Sequence, residues 1–223
     1  GLSILSGIIF GTDIAIWNIS IVESTATQAT LLANLAPIWV GLGMFFFLAD
    51  KPKKNFWIGT VIAFIGLIIL IGLDVFKTLS IDRAFLLAIL SGILYAHYIL
   101  ISKHVLRHVD ILSFMSLMLL SSSVFLAFVT YFSDQPFTGF SSAGWAVLAV
   151  QAIICQLIAW LALSYATQRM RATRVSVSLL SQGFLSALLA WIFLNEDINL
   201  QMIIGGVILL IGIRVTFIEK KLV

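Results

Sequence analysis

The chain has 223 residues, of which 61% are hydrophobic and only 10% are charged, and its mean hydropathy is +1.12. A soluble domain carries roughly 25% charged residues, so this chain cannot cover itself with polar groups and its outer surface is expected to face lipid. The net charge of +3 does not indicate nucleic-acid binding, because the basic residues stand in short clusters between apolar runs. The single cysteine, Cys155, excludes an internal disulfide and a cysteine-based metal site.

Eight apolar runs follow one another along the chain, each close to the roughly 20 residues that a helix needs to cross a bilayer. The runs are continuous and do not alternate between apolar and polar residues, which predicts helices and not the strands of a barrel. The connections are short and leave no room for a second globular domain. The sequence therefore predicts an all-α integral membrane protein with eight spans, at residues 2–22, 26–48, 56–73, 84–102, 111–132, 143–166, 173–194 and 201–218.

Lysine and arginine are divided unequally between the two sides that alternate connections occupy. One side carries eleven of them: Lys51, Lys53, Lys54, Lys103, Arg107, Arg169, Arg171, Arg174, Arg214, Lys220 and Lys221. The other side carries only Lys77 and Arg83. Because cytoplasmic connections are enriched in Lys and Arg, the basic side is predicted to be cytoplasmic, and both chain ends fall on that side.

One segment of the chain recurs after 146 residues. FLADKPKKNFWIG, at residues 47–59, returns as FLNEDINLQMIIG at residues 193–205 without its three lysines. One period contains five spans, an odd number, so each span and its copy are expected to cross the membrane in opposite directions. The loss of the lysines agrees with this, because the second copy then faces away from the cytoplasm.

The sequence therefore predicts an inverted repeat of two five-helix units, which is a feature of secondary transporters. The first unit holds only three spans in this sequence. Two further helices are therefore expected before Gly1, and ten in the complete protein.

Three motifs carry a resemblance to a known family. They are the small-residue run with its proline in ESTATQATLLANLAPIW, the helix ends FLAD and FLNE, and a glycine pattern that recurs in the third and eighth spans. In this order and spacing they resemble the drug/metabolite transporter superfamily, in its EamA-type branch of ten-helix permeases. Residues 1–75 then correspond to a partial first repeat (helices 3–5) and residues 83–219 to the second repeat (helices 6–10). Four residues depart from the usual pattern of the family: Ala49, Asp50, Gly183 and Asn195.

The resemblance implies a carrier in the plasma membrane, which is the inner membrane of a bacterium. It implies small metabolites as substrates, often amino acids or related organic solutes, and transport that is commonly outward. It does not identify one substrate.

Asp13 lies near the middle of the first span, where a charged side chain costs about 2.5–3.5 kcal/mol on insertion scales. It shares one helical face with Phe10 and Trp17, by i+3 and i+7 spacing, and the copied face of the sixth span carries Gln156 beside Trp160. We interpret both faces as walls of a substrate cavity. Asp13 would then bind a proton or a substrate amine; the alternative is a structural carboxylate paired with a neighbouring helix.

Other polar side chains within the spans extend this cavity hypothesis. Asn34, Tyr95 and Gln182 stand in polar stripes of the second, fourth and seventh spans. Such stripes line an aqueous path or form hydrogen bonds between helices, at about 0.6 kcal/mol each. The two amides are the stronger candidates, because a buried amide needs several hydrogen-bond partners. The tryptophans, Trp17 and Trp160, either stack on a substrate or belong to the core.

Pro37 removes a backbone hydrogen bond in the middle of the second span. Gly183 occupies the equivalent place in the copy, so both positions are candidate hinges, with a static kink as the alternative. The third and eighth spans carry small-residue faces at Gly59, Gly66, Gly205 and Gly212, which predict close helix packing and leave a homodimer as a further possibility.

No metal or cofactor site is predicted. His104 and His108 have i+4 spacing but stand in a basic connection, so a solvated loop is the better interpretation. No P-loop is present, so ATP is not the direct source of energy.

The leading hypothesis is a secondary transporter, not an enzyme, with a small-molecule substrate and the lipid bilayer as partners. The alternatives are a membrane-embedded enzyme acting on a lipid-linked substrate and a membrane scaffold. An enzyme would need clustered catalytic groups near one interface, whereas a scaffold needs neither the repeat nor the polar stripes.

Overall fold

The computed structural model describes residues 1–48, 50–72, 81–194 and 198–218. These residues form eight helices that are long and apolar enough to cross a membrane, and no strand occurs among them. The helices are α1 (Leu2–Glu23), α2 (Ala26–Ala33 and Ala36–Phe47), α3 (Lys54–Ile71), α4 (Arg83–Val105), α5 (Ile111–Phe132), α6 (Ser142–Arg169), α7 (Ala172–Ser178 and Ser181–Leu194) and α8 (Leu200–Phe217). The predicted all-α class and the eight spans are confirmed. Of the residues used in the sequence arguments, Ala49, Lys77, Asn195, Glu196, Lys220 and Lys221 lie outside the described residues.

Side-chain caps set the starts of five helices. A side-chain oxygen accepts a backbone N–H of the first turn at Thr25, Asp82, Asp110, Ser141 and Asn199. Such caps satisfy amide groups that have no partner within the helix. At the start of α5, the backbone N–H of Ser113 donates to Asp110 at 2.9 Å and holds the pKa of that carboxyl below its ordinary value.

Consecutive helices run in opposite directions. α1 is antiparallel to α4, because Ser6 bonds Ser102 near one end of the pair, at 3.2 Å, and Ser20 donates to the Ala84 carbonyl near the other, at 2.8 Å. The same α1 runs parallel to α5: a Cβ atom at Gly7 would lie 2.3 Å from the Met118 oxygen, and one at Gly11 would lie 3.4 Å from the Ser122 oxygen one turn later. α2 packs along α4, and the first segment of α7 lies against α2 and α4.

α3 and α8 pack against each other through the predicted glycine faces. A Cβ atom at Gly59 would lie 2.6 Å from the Gly212 oxygen, and one at Gly66 would lie 2.7 Å from the Gly205 oxygen. Under the 146-residue offset Gly59 corresponds to Gly205 and Gly66 to Gly212, so the two contacts are copies of each other. Close helix packing at the glycines is therefore confirmed within the chain. The homodimer stays a prediction. The glycine faces of α3 and α8 cover each other within one chain, so a dimer would have to use another surface.

The described lysines and arginines gather at one end of the bundle, except Arg83. At this basic end, Arg171 pairs with Asp50, and the Asn55 side chain donates to the Ile218 carbonyl at 2.7 Å. The opposite end holds the Arg83–Glu23 ion pair, at 3.0 Å. Both described chain ends lie at the basic end, since α1 begins there and α8 finishes there.

Candidate functional site

A cavity of about 250 Å³ lies between α1, α2, α4, α6 and α7. The structure brings all seven predicted cavity residues to its lining: Asp13, Trp17, Asn34, Tyr95, Gln156, Trp160 and Gln182. Of the two proposed hinge residues, Pro37 lines the cavity and Gly183 does not. The placement agrees with the sequence hypothesis, while the functional roles of these residues remain predictions.

Asp13 provides the charged group of the cavity. Its side chain is 7% exposed, and its Oδ1 accepts a hydrogen bond from Ser91 Oγ on α4 at 2.5 Å. No Lys, Arg or His stands among the described residues that line the cavity. The carboxylate therefore has a neutral donor beside it and no cation of the lining to balance its charge.

An amide pair forms a second polar region of the cavity. Gln182 Nε2 donates to Asn34 Oδ1 at 2.9 Å and so joins α7 to α2. This bond uses one hydrogen of Gln182 and one oxygen of Asn34. Because each amide offers two hydrogens and an oxygen, the Asn34 hydrogens and the Gln182 oxygen are left to contact a solute.

The amide pair lies where two helices are interrupted. α2 breaks after Ala33, whose carbonyl would accept the N–H that Pro37 lacks. α7 breaks after Ser178, where Leu180, Gln182 and Gly183 each donate to a carbonyl three residues back. Broken helices with free backbone groups are typical of the binding sites of secondary transporters. The predicted hinge residues, Pro37 and Gly183, lie in the first turn after these breaks, and their motion remains a prediction.

Aromatic rings form one wall of the cavity and extend below it towards the basic end. Phe10 meets the Trp160 ring edge-on, with 4.3 Å between the centroids, and Tyr95 lies 6.2 Å from the same ring. Tyr98, one turn nearer the basic end on α4, is 2% exposed and packs against Phe10 and Trp160. Trp160 itself follows a wide π-helical stretch of α6, at Gln151–Ile158, and such stretches are frequent at functional sites.

The 146-residue offset also relates residues that line the cavity. Both members of six pairs line it: Phe10 and Gln156, Ile14 and Trp160, Thr30 and Ser176, Ala33 and Leu179, Asn34 and Leu180, and Ala36 and Gln182. Ser176 is a lining residue that was not predicted from the sequence; it is buried on α7, and its Oγ donates to the Thr173 carbonyl at 3.0 Å. It could have been predicted from Thr30, which lies at the equivalent position of the first repeat.

His104 and His108 lie at the basic end, with their ring centroids 5.8 Å apart. Across the described residues, no group of three or more His, Cys, Asp or Glu side chains forms a possible metal site.

Comparisons with known proteins agree with this architecture. The sequence matches the family model described as "EamA-like transporter family" over residues 2–72 and 82–218. A protein of Archaeoglobus fulgidus, described as an uncharacterized transporter, is 26% identical over 198 residues, which cover 86% of this chain and 67% of that protein. A crystal structure whose description states no function has the same fold, with a TM-score of 0.77 and 16% identity over 96% of this chain and 85% of that one. The family resemblance drawn from the motifs is confirmed.

Proposed function

Because this chain belongs to the EamA-like transporter family, we propose that it is a secondary transporter that exports small metabolites, amino acids or related organic solutes, by alternating access. It is a multi-pass membrane protein. We assign it to the plasma membrane, the bacterial inner membrane, with the basic end in the cytoplasm, since positively charged connections favour that side.

The polar cavity at mid-height of the bundle carries this proposal. An ionisable side chain within a membrane span is costly and therefore rare, and where one occurs it usually marks a path for a solute or an ion. Asp13 and the amide pair line a space enclosed by helices of both predicted repeat units. The six lining pairs that share the 146-residue offset support an inverted repeat with the cavity at its centre.

Hydrogen bonds and an ion pair hold the helices together on the basic side of this cavity. Lys103 Nζ donates to the Gln168 carbonyl at 3.0 Å, and Gln168 Nε2 donates to the Leu106 carbonyl at 3.0 Å. Arg171, between α6 and α7, pairs with Asp50 and also donates to the Lys51 carbonyl at 3.0 Å. We take these contacts as the closed gate of the basic end.

A transporter that alternates between two closures has one gate formed and the other open. With the contacts of the basic end formed, the structure fits the state that is closed at that end.

Reconstituted full-length protein provides the test, through counterflow of labelled amino acids and amines into proteoliposomes. Wild-type flux is expected, and Asp13→Asn is expected to lose proton-coupled or cation-selective flux while inserting normally. Asp134→Asn is the matched control, because Asp134 is exposed in a turn with φ 51°, a conformation that asparagine also tolerates.

The outcomes separate the hypotheses. Flux and pH dependence that are unchanged in Asp13→Asn would count against a role for Asp13. Turnover of a lipid-linked substrate by wild-type protein without flux of any solute would favour a membrane-embedded enzyme. Absence of both activities would favour a scaffold.

A further inference from the structure

Hydroxyl side chains form a stripe along the face of α4 that packs on α1. Its four members, which follow one another at i, i+4, i+7 and i+11, are Ser91, Tyr95, Tyr98 and Ser102. At 1.5 Å per residue the stripe is about 16 Å long. Ser91 donates to Asp13 in the cavity, and Ser102 directly precedes Lys103 at the basic end. The stripe therefore runs from the buried carboxylate to the closed end of the bundle.

The polar groups of this stripe interact one after another in the direction of the basic end. The Tyr95 hydroxyl interacts electrostatically with both Asp13 and Tyr98, and the two tyrosine rings are stacked with 6.0 Å between their centroids. The Tyr98 hydroxyl interacts in turn with Ser102, whose Oγ lies 3.2 Å from Ser6 Oγ on α1 and forms a hydrogen bond with it. We call these four residues, Tyr95, Tyr98, Ser102 and Ser6, the hydroxyl column.

The lower part of the hydroxyl column lies inside the contact between α1 and α4, where no solute can pass. Tyr98 and Ser102 are each 2% exposed, and Ser6 is 0% exposed. The Tyr98 ring packs against Phe10 and Trp160 and so closes the space below the cavity. A proton needs no open channel here, because a hydroxyl oxygen can accept one proton while its O–H group gives up another.

We propose that the hydroxyl column carries protons between Asp13 and the water at the basic end while the solute gate at that end is closed. In each passage the protonated Asp13 carboxyl gives its proton to the Tyr95 oxygen. Each hydroxyl then gives its own proton to the next oxygen, until water at the basic end accepts one. Asp13 is left as a carboxylate, every hydroxyl stays neutral, and one proton has moved. This inference rests on the proposed transport function and names the proton as its coupling ion.

A measurable property follows from the state of the two ends. In a carrier that is closed at the basic end, the cavity is open towards the opposite end, so Asp13 takes up protons from that side. The hydroxyl column then delivers them to the basic side without movement of a solute. Each hydroxyl must rotate back before the next passage, since its hydrogen has moved to the other side of the oxygen. The protein without solute is therefore a slow proton conductor.

Proton flux into proteoliposomes tests the proposal. The full-length protein is reconstituted with the pH dye pyranine inside, and a potassium diffusion potential set by valinomycin drives protons inward. Wild-type protein is expected to acidify the lumen faster than protein-free liposomes do. Tyr98→Phe removes one hydroxyl and keeps the ring, and it should lower the excess flux by about ten-fold or more, since a positioned proton-transfer group is lost. No excess flux in wild type, or an equal flux in Tyr98→Phe, would overturn the proposal.

A second variant and a control separate proton transfer from a structural role of the hydroxyls. Ser102→Ala interrupts the hydroxyl column at another residue and is expected to lower proton flux in the same way. Tyr131→Phe is the matched control, because Tyr131 is 69% exposed on α5, and it should keep the wild-type flux. The unfolding midpoint of each variant in detergent is measured beside its flux. A flux that falls only in proportion to the loss of folded protein would overturn the proposal.

Failure of the hydroxyl column is distinguishable from failure of transport. Counterflow of labelled amino acids and amines needs no net movement of protons, so Ser102→Ala is expected to retain it. Solute counterflow in wild-type protein that conducts no protons would overturn the hydroxyl column and leave the transporter function intact. Proton flux that depends on Tyr98 and Ser102, without flux of any solute, would support the hydroxyl column and count against transport.

Discussion

The contact between α3 and α8 allows the effect of one added side chain to be estimated. In Gly66→Val the new Cβ atom would lie 2.2 Å from the Leu209 nitrogen and 2.7 Å from the Gly205 oxygen. Both are backbone atoms, so no side chain can rotate away to make room. The two helices would have to separate by about 1 Å, and a gap of that size forfeits up to about half of the dispersion energy of each contact.

The expected loss of stability follows from two opposing effects. Overpacking of a close interface costs about 1–3 kcal/mol, and valine regains a few tenths of a kcal/mol over glycine in helix propensity, on the order of 0.3. We expect Gly66→Val to lower the free energy of unfolding by about 2 kcal/mol. Reversible unfolding in mixed micelles, followed by tryptophan fluorescence, measures the difference.

Two further variants show whether the reasoning is right. Gly212→Val, the copy of Gly66 under the 146-residue offset, would place its Cβ atom 2.3 Å from the Ala63 nitrogen and should lose a similar amount. Gly144→Val is the control, because a Cβ atom there would lie 3.4 Å from Ser141 Oγ, and it should stay within about 0.5 kcal/mol of wild type. Equal stability of Gly66→Val and Gly144→Val would refute the close packing, and a neutral Gly212→Val would refute its symmetry.

Two other predictions concern the ends of the bundle. Cysteines introduced at Lys53 and Asn199, in a background without the native cysteine, should react with an impermeant maleimide from opposite sides of the membrane; labelling from one side alone would contradict the inverted arrangement. Asp50→Asn should break the ion pair with Arg171 and raise the labelling rate of a cysteine at Trp17 from the basic side about 1.4- to 5-fold, since an exposed ion pair contributes about 0.2–1 kcal/mol. An unchanged labelling rate would show that the Arg171–Asp50 ion pair does not contribute to closure at the basic end.

The helices could be predicted from the sequence because each is a long apolar run, and five of them begin at a polar residue that caps the first turn. The interruptions inside them were harder to predict. The break before Pro37 has a local cause, the missing N–H. The break at Leu179 and Leu180 has no proline and no glycine at the turn itself, so the repeat, and not local chemistry, was the available signal.

The lining residues of the cavity could be predicted where a polar or aromatic face interrupts an apolar span. Asp13 and Trp17 were found because a polar or aromatic face within an apolar span is informative on its own. The partner of Asp13, Ser91, could not be identified because the contact depends on the depth at which antiparallel α1 and α4 pack. Some serines within spans bond to another helix and others to their own, as Ser121 Oγ does to the Leu117 carbonyl at 2.7 Å, so the sequence gives little reason to choose one serine as the partner.

The departures from the repeat explain why one closure would be favoured over the other. Two units that were perfect copies would give states open at either end with equal packing energies, and only unmatched contacts can then bias the equilibrium. At the basic end Arg171 pairs with Asp50, but the offset places Thr25, which carries no charge, at the position that corresponds to Arg171. The opposite end therefore lacks a copy of this ion pair, and the ion pair described there, Arg83–Glu23, instead joins the start of α4 to the end of α1. We infer that the state closed at the basic end is the more stable one without solute. Binding of a solute at Asp13 must then offset the loss of the Arg171–Asp50 ion pair when the basic end opens.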